Sequence, residues 1–404
     1  MDIPFIIFLI TYIFISIGRV PFFRVDRTGI SIIGATLLIL FNVISINEAY
    51  LAIDYKTIII LFGMMVLIAN LRLSGFFHIL LNFIVKNIKD PKNFLYILVF
   101  TSGISSAFFV NDTICLIFTP FVIEISRKLN LNPKPYLLAL AMSSNIGSVA
   151  TITGNPQNII IASFASINYS DFFIKMFPIT LINLLTAILL IQFFYKEDLT
   201  LDFKNIDNQS KQIKYRYNKA LLIKSSIAAL LTIILFFLNV PMYIVSIFIA
   251  SFLLITRRIK PEKVYNLIDF SLLILFICLF VIIKGSEKSI IFMDLMSYMK
   301  NIIDTPLELV ISTVILSNLV SNVPAVLVLK EIVNNLTIDQ NKWYYLSMAS
   351  TLAGNLTIFG SIANIIVIEL ASSKVKINFL EYIKIGIPLT IITVAITYFY
   401  LSLF

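Results

Sequence analysis

The sequence predicts an all-α polytopic membrane protein built from two repeats of inverted topology, each with a re-entrant helical hairpin and a broken transmembrane helix. Three observations support this prediction: apolar segments recur along nearly the whole chain, two of them are interrupted by glycine at matching positions, and basic residues cluster in short loops. Of the 404 residues, 59% are hydrophobic and 13% are charged. A helix crosses a bilayer core with about 20 apolar residues, so little of the chain remains for an aqueous domain.

The apolar segments fall into two similar halves, on either side of a polar linker at 196–219. Each half has three spans, a span interrupted by polar residues, a span interrupted by glycine, and a last span. The segments are roughly 4–18, 29–46, 57–70, 94–127, 136–167, 172–194, 220–238, 241–256, 268–284, 306–329, 344–370 and 380–403.

Membrane repeat 1 is therefore predicted over 1–195, with its first helices to about 90, a hairpin and broken helix at about 91–168, and a last helix to 195. Repeat 2 is predicted over 220–404, with its first helices to about 303, a hairpin and broken helix at about 304–371, and a last helix to the end. Short amphipathic stretches at about 73–89 and 287–303 precede the hairpins and are predicted to lie along the membrane interface.

The two glycine-interrupted spans are weak copies of each other. Residues 151–160 and 357–366 align so that Gly154 matches Gly360 and Asn158 matches Asn364. The hairpins align as well, because residues 106–111 match 317–322. Interrupted hydrophobic segments at corresponding positions of two halves are the strongest sequence indication of a transporter's binding site.

Loop charges predict the orientation of the chain. There are 31 Lys and Arg residues against 22 Asp and Glu, and the positive-inside rule explains basic loops beside apolar spans better than nucleic-acid binding does. The basic clusters become cytoplasmic if both termini lie outside and the segments 94–127 and 306–329 are hairpins that enter and leave on one side. The protein is then expected in the cell membrane, in contact with the lipid bilayer and without a nucleic-acid partner.

Polar residues inside the membrane cluster at the hairpin tips and the helix breaks. New helix N-termini there carry partial positive charge that suits an anion, and the preceding C-termini expose carbonyls that suit Na⁺ or a proton donor. A Na⁺ site is expected near Asn111, Asp112 and Asn322. The predicted substrate and ion-binding residues are Asn111, Asp112, Thr113, Ser144, Asn145, Thr151, Gly154, Asn155, Asn158, Ser321, Asn322, Asn355, Thr357, Gly360, Ser361 and Asn364.

Asp112 is the one acid that this topology buries deeply. A charge in mid-membrane costs several kcal/mol and usually has a function, although an aspartate at this point could also cap the second helix of the hairpin. No Arg or Lys falls deep in a predicted span. An anionic substrate is therefore expected to be held by backbone dipoles and a co-bound cation.

These motifs resemble the ion transporter superfamily, and the arsenite/antimonite permeases and citrate-transporter-like anion permeases are its most similar branches. The resemblance rests on residues 109–113, 143–147, 154–158, 321–324 and 354–364. It implies a homodimer with a scaffold domain and a moving transport domain, no cofactor, and elevator-like alternating access. The dicarboxylate branch carries Ser-Asn-Thr at both tips. This chain has Asn111-Asp112-Thr113 and Ser321-Asn322-Val323 instead, which argues against di- and tricarboxylates.

The sequence thus predicts a secondary active transporter of a small anion or oxyacid, such as arsenite, an inorganic anion or a carboxylate, coupled to H⁺ or Na⁺. Two alternatives stay open: a Na⁺/H⁺ antiporter of the same superfamily, in which Asp112 binds the two cations alternately, and a passive ion channel. A membrane-embedded enzyme is not expected, because no metal-ligand cluster or nucleophile–base pair appears in the sequence.

Overall fold

The computed structural model describes residues 2–18, 23–200, 217–336 and 341–403, and the chain is helical almost throughout these ranges. Most of the predicted linker, 201–216, lies outside the described residues. The helices of the first half are α1 (Ile3–Ile17), α2 (Arg27–Leu40), α3 (Ile46–Ala52), α4 (Tyr55–Ser74), α5 (Phe76–Asn87), α6 (Pro91–Phe108), α7 (Asn111–Lys128), α8 (Lys134–Ser148), α9 (Pro156–Ala165), α10 (Tyr169–Phe194) and α11 (Lys196–Leu199).

The second half repeats this order of long helices with different lengths. Its helices are α12 (Lys219–Phe237), α13 (Met242–Leu254), α14 (Pro261–Tyr265), α15 (Phe270–Ser286), α16 (Ile290–Ile302), α17 (Pro306–Val320), α18 (Asn322–Asn335), α19 (Lys342–Leu352), α20 (Ile362–Ala371) and α21 (Phe379–Leu401). Short 3₁₀ turns separate α8 from α9, and α19 from α20.

Within the described ranges, four helices are long and apolar enough to cross a membrane: α4, α10, α12 and α21. A fifth span results if α15 and α16 count as one, although they are bent by 93°. Several other apolar segments form helices of only 10–17 residues, because loops, hairpin tips and helix breaks interrupt them. The chain therefore has fewer full-length spans than its twelve apolar segments suggested. The bend before α16 agrees with a helix lying across the direction of the span.

The segment 91–134 folds back on itself as a hairpin. α6 and α7 pack on each other and meet at a break at Phe109 and Val110. The Tyr136 hydroxyl, at the start of α8, donates to the Pro91 carbonyl at 3.1 Å, and the Tyr136 ring stacks on Phe94. The residues that enter and leave the hairpin are therefore neighbours. α17 and α18 form the corresponding hairpin of the second half.

Corresponding helices of the two halves run antiparallel. α4 and α15 begin with the matched caps Asp54 and Asp269, yet one cavity is lined by Arg72 from the end of α4 and by Asp269. The last helices of the two halves are antiparallel as well, because Tyr195, just after α10, donates to Glu381 in the first turn of α21 at 3.3 Å. This antiparallel arrangement is the one that an inverted repeat requires.

Candidate substrate and ion site

Both hairpin tips contain a residue in the left-handed region of backbone conformation. Val110 precedes α7 with φ of 48°, and Ser321 precedes α18 with φ of 75°. A branched side chain such as valine is rarely found there, and strain of this kind concentrates at functional sites. Neither α7 nor α18 has a side chain that hydrogen-bonds its first N–H groups. The tips therefore present uncapped helix N-termini.

The two matched asparagines stabilise the helix breaks in the same way. Asn158 donates to the carbonyls of Ser148 and Thr151 at 3.1 and 3.0 Å. Asn364 donates to the carbonyls of Gly354 and Thr357 at 2.6 and 3.0 Å. Each amide thus satisfies two carbonyls that the break frees, and both side chains are fully buried. These contacts favour a role in stabilising the breaks over the predicted role as substrate or ion ligands.

The glycines of the breaks allow close backbone packing. A methyl group on Gly154 would collide with the Ser148 carbonyl, and one on Gly360 would lie 3.0 Å from the Gly354 carbonyl and 2.9 Å from Asn318 Oδ1. Neither glycine has a positive φ. A compact break, not an unusual dihedral angle, therefore explains glycine at both positions.

Asn145 joins the two halves beneath the tips. Its Oδ1 accepts from Asn111 at 3.0 Å and from Ser361 at 2.9 Å. Its amide nitrogen donates to Asn355 and to Asn364, both at 2.9 Å. All hydrogen-bonding positions of this buried amide are thereby occupied, which ties the first hairpin to the second broken helix.

Thr351, which aligns with Asn145 in the second half, makes the reciprocal contacts. Its hydroxyl accepts from Asn155 at 3.1 Å and from Gln157 at 3.3 Å, and it lies 3.5 Å from Asn158 Oδ1. The hairpins also contact their broken helices in corresponding ways. Ser106 bonds Ser144 at 2.8 Å, and Ser317 donates to the Ser350 carbonyl at 3.1 Å. These contacts form one polar network in an otherwise apolar core.

A cavity of about 50 Å³ lies above this network, between the two tips; we call it the central cavity. First-turn residues of α7, α9, α18 and α20 line it, so four helix N-termini face one small space. Asn155 and Ser361 cap α9 and α20, whereas α7 and α18 have no side-chain cap. All four helix dipoles attract an anion, and the two uncapped N-termini also offer unpaired N–H groups. The central cavity is therefore suited to a small anion or to a polar neutral oxyacid.

Arg27 also lines the central cavity, which corrects the expectation that no guanidinium would be available. It begins α2, and its guanidinium lies over Gly18, where a side chain would stand 3.4 Å from Arg27 Nε. The sequence places Arg27 just before a span. A side chain in place of Gly18, which follows α1, would contact the guanidinium.

Asp112 lies in the first turn of α7 and lines the central cavity. Val110, not Asp112, occupies the capping position, so the capping alternative is not seen. Within the part of the chain that the structure describes, the Asp112 carboxylate makes no hydrogen bond or ion pair. It is therefore available to a cation or a proton.

All the predicted site residues except Thr113 fall into two groups. The residues that line the central cavity are Asn111, Asp112, Ser321, Asn322 and Ser361. The residues of the supporting network and the breaks are Ser144, Asn145, Thr151, Gly154, Asn155, Asn158, Asn355, Thr357, Gly360 and Asn364. Thr113 lines a neighbouring cavity instead. Arg27 and Gln157 were missed, although Gln157 belongs to the motif around Asn158.

Paired hairpins and broken helices around a shared cavity, lined by both polar and apolar residues, are typical of membrane transporters. The model of the citrate transporter family, CitMHS, matches residues 12–353. The chain belongs to this family, which confirms the resemblance to the ion transporter superfamily.

Proteins similar to the chain along nearly its whole length carry transporter names. The silicon efflux transporter LSI3 of Oryza sativa subsp. japonica is 28% identical over 93% of this chain and 92% of its own. The putative transporter arsB of Dictyostelium discoideum is 26% identical over 97% of this chain and 90% of its own. An uncharacterized transporter of Methanocaldococcus jannaschii is 30% identical over 87% of this chain and 90% of its own.

The fold is similar to that of a solved transporter. The crystal structure of the YdaH transporter of Alcanivorax borkumensis superposes with a TM-score of 0.60 over 99% of this chain and 96% of the other, at 10% identity. The chain is thus a multi-pass membrane protein that transports a solute.

Proposed function

We propose that the chain is a secondary active transporter of a small anion or oxyacid, coupled to H⁺ or Na⁺. The observation that carries the proposal is the central cavity, where four helix N-termini and Arg27 face an unpaired Asp112. Positive groups suit the substrate, and the carboxylate suits the coupling cation. Alternating access of the elevator type, a homodimer, and a cell-membrane location with both termini outside complete the proposal.

The size of the central cavity favours a small substrate. At about 50 Å³ it accepts only a few water-sized groups, which is less than a tricarboxylate needs. Two similar proteins are named for silicon efflux and arsB, and both names agree with a compact oxyacid. Arsenite, silicic acid and small inorganic anions are therefore preferred over citrate as substrates of this chain.

Flux into proteoliposomes tests the proposal. The purified protein is reconstituted with arsenite, silicic acid, phosphate, sulfate or citrate, each with and without an imposed pH or Na⁺ gradient. We expect one small oxyacid or anion to accumulate against its gradient only when a cation gradient is present, with a rate that saturates. Flux that neither saturates nor couples would indicate a channel. Na⁺/H⁺ exchange that needs no anion would indicate the antiporter.

A further inference from the structure

A second cavity, of about 190 Å³, meets the central cavity at Asp112; we call it the side cavity. Its walls are mostly apolar side chains of α4, α7 and α15. Its polar lining consists of Arg72, Asp112, Thr113 and Asp269. Asp112 is the one charged residue that lines both cavities.

Two of these charged residues mark the mouth of the side cavity. Arg72 lies in the last turn of α4, and Asp269 caps the start of α15, accepting from the Leu272 N–H at 2.9 Å. Both residues are exposed, whereas Asp112 is more enclosed. The antiparallel course of α4 and α15 brings the two residues to the same end. The side cavity therefore extends from an exposed mouth to the carboxylate at the hairpin tip.

The two cavities differ in charge. The central cavity combines Arg27 with four helix N-termini, and Asp112 is its acid. The side cavity has the carboxylates of Asp112 and Asp269 against the guanidinium of Arg72, and it is lined by first-turn residues of α7 and α9 but not of α18 or α20. An excess of carboxylate raises the local concentration of cations. A cation would therefore find a favourable environment along the side cavity, and an anion would find one in the central cavity.

We propose that the side cavity is an aqueous, cation-preferring vestibule through which the coupling ion reaches Asp112, separately from the substrate's place in the central cavity. The inference deepens the proposed function, since it concerns how the coupling ion arrives. At the mouth, Asp269 attracts the cation and Arg72 repels it. The strength of the cation preference therefore depends on the opposing effects of these two charges. Asp112 lines both cavities, so its carboxylate is next to the proposed positions of both the coupling ion and the substrate.

Cysteine accessibility tests the vestibule without any transport measurement. In a background carrying Cys115→Ala and Cys278→Ala, Thr113→Cys and, separately, Leu116→Cys report on the inner wall. Arg72→Cys reports on the mouth. Ser126→Cys is the control, because Ser126 lies on the same helix and is fully buried. Membrane-impermeant methanethiosulfonates of opposite charge, one trimethylammonium and one sulfonate, are applied to each face of the membrane in turn.

We expect Thr113→Cys and Leu116→Cys to react from the face that labels Arg72→Cys, faster with the cationic reagent, while Ser126→Cys stays unmodified. Asp269→Asn should lower the ratio of cationic to anionic rates roughly fivefold, because loss of one solvated, screened unit charge slows the cationic reagent and speeds the anionic one by about twofold each. Arg72→Gln should raise the ratio by a similar factor. Inner cysteines that no reagent reaches, or that react only from the opposite face, would overturn the vestibule. An equal ratio in all three backgrounds would overturn its preference for cations. Neither result depends on whether a substrate has been found.

Discussion

At the scale of single residues, the candidate site combines one positive side chain, Arg27, with one negative side chain, Asp112. Both side chains face the central cavity, but they form no ion pair with each other. Asp112 could be predicted from the sequence, because burying an acid in an apolar span is costly and such a residue usually has a function. Arg27 could not, because it lies far before the hairpin tip in the sequence and only the packing of α1 and α2 brings it there.

Asp112→Asn should abolish uphill transport while the protein still folds and inserts. The amide keeps the shape of the side chain but can neither bind a cation by charge nor exchange a proton. Gradient-driven uptake into proteoliposomes measures the effect, and Glu124→Gln, on the exposed side of the same helix, is the control. Concentrative uptake at the wild-type level would exclude Asp112 as the coupling residue.

Arg27→Gln should weaken the binding of an anionic substrate about 10- to 100-fold, because hydrogen bonds to a charged group contribute about 1.5–3 kcal/mol. Arg27→Lys keeps the charge and should lose less than half of that free energy. Ligand-induced thermal stabilisation of the purified protein, titrated with the substrate found by the flux assay, gives the affinity. Equal affinity in the wild type and in Arg27→Gln would show that helix N-termini alone hold the substrate.

At the scale of elements, the breaks in the helices were predictable and their construction was not. Matched Gly and Asn residues located both breaks. The structure adds that the asparagines satisfy freed carbonyls and that the glycines admit close packing. The network around Asn145 escaped prediction, because its partners lie in the first hairpin and in the second broken helix, which are far apart in the sequence. Amide side chains fit this task, since each one offers both donors and an acceptor.

Asn158→Ala and Asn364→Ala should each destabilise the protein by about 1–3 kcal/mol, since a buried polar group left without a partner costs that amount. The two losses should be similar, because the two amides bond equivalent carbonyls. Thermal unfolding in detergent measures them. Asn335→Ala removes an exposed amide that bonds one carbonyl of its own helix and should leave stability almost unchanged. Loss of substrate affinity without loss of stability would instead identify the asparagines as ligands.

Gly154→Ala should cost more stability than Gly360→Ala. At Gly154 the added methyl group meets backbone atoms of Ser148, including its Cα at 2.7 Å, and those atoms cannot turn aside. At Gly360 the nearest atoms are Asn318 Oδ1 at 2.9 Å and the Gly354 carbonyl oxygen at 3.0 Å, so the overlap is smaller. Overpacking of a tight core costs about 1–3 kcal/mol, and Gly154→Ala should lie at the upper end. Equal unfolding temperatures for the two variants would contradict this packing.

At the scale of the whole molecule, the predicted topology has two ion pairs on opposite faces of the membrane. Lys134, after the first hairpin, pairs with Glu381 at 2.8 Å. Lys288, between α15 and α16, pairs with Glu48 at 2.7 Å. The predicted topology has the first position on the cytoplasmic face and the second on the external face. Lys288 is an exception to the positive-inside pattern, and its pairing with Glu48 neutralises it. Loop charge could predict which end of each helix faces which side, but not which loops meet, because that depends on packing between the halves.

Cysteines introduced one at a time near these two ion pairs should therefore be labelled from different sides of the membrane. In the background without Cys115 and Cys278, Lys92→Cys and Lys134→Cys should react with an impermeant maleimide from the cytoplasmic face, because both lie at the base of the first hairpin. Lys288→Cys should react from the external face, because α15 ends where α4 begins. Lys92 and Lys288 are exposed and Lys134 is half-buried, and ion pairs near the surface contribute little to stability, so the three sites should tolerate substitution. Labelling of Lys92→Cys and Lys134→Cys from opposite faces would turn the hairpin into a crossing. Labelling of Lys288→Cys from the cytoplasm would contradict the inverted topology. The meeting of four helix N-termini, two from each half, at a single cavity would then have no topological explanation.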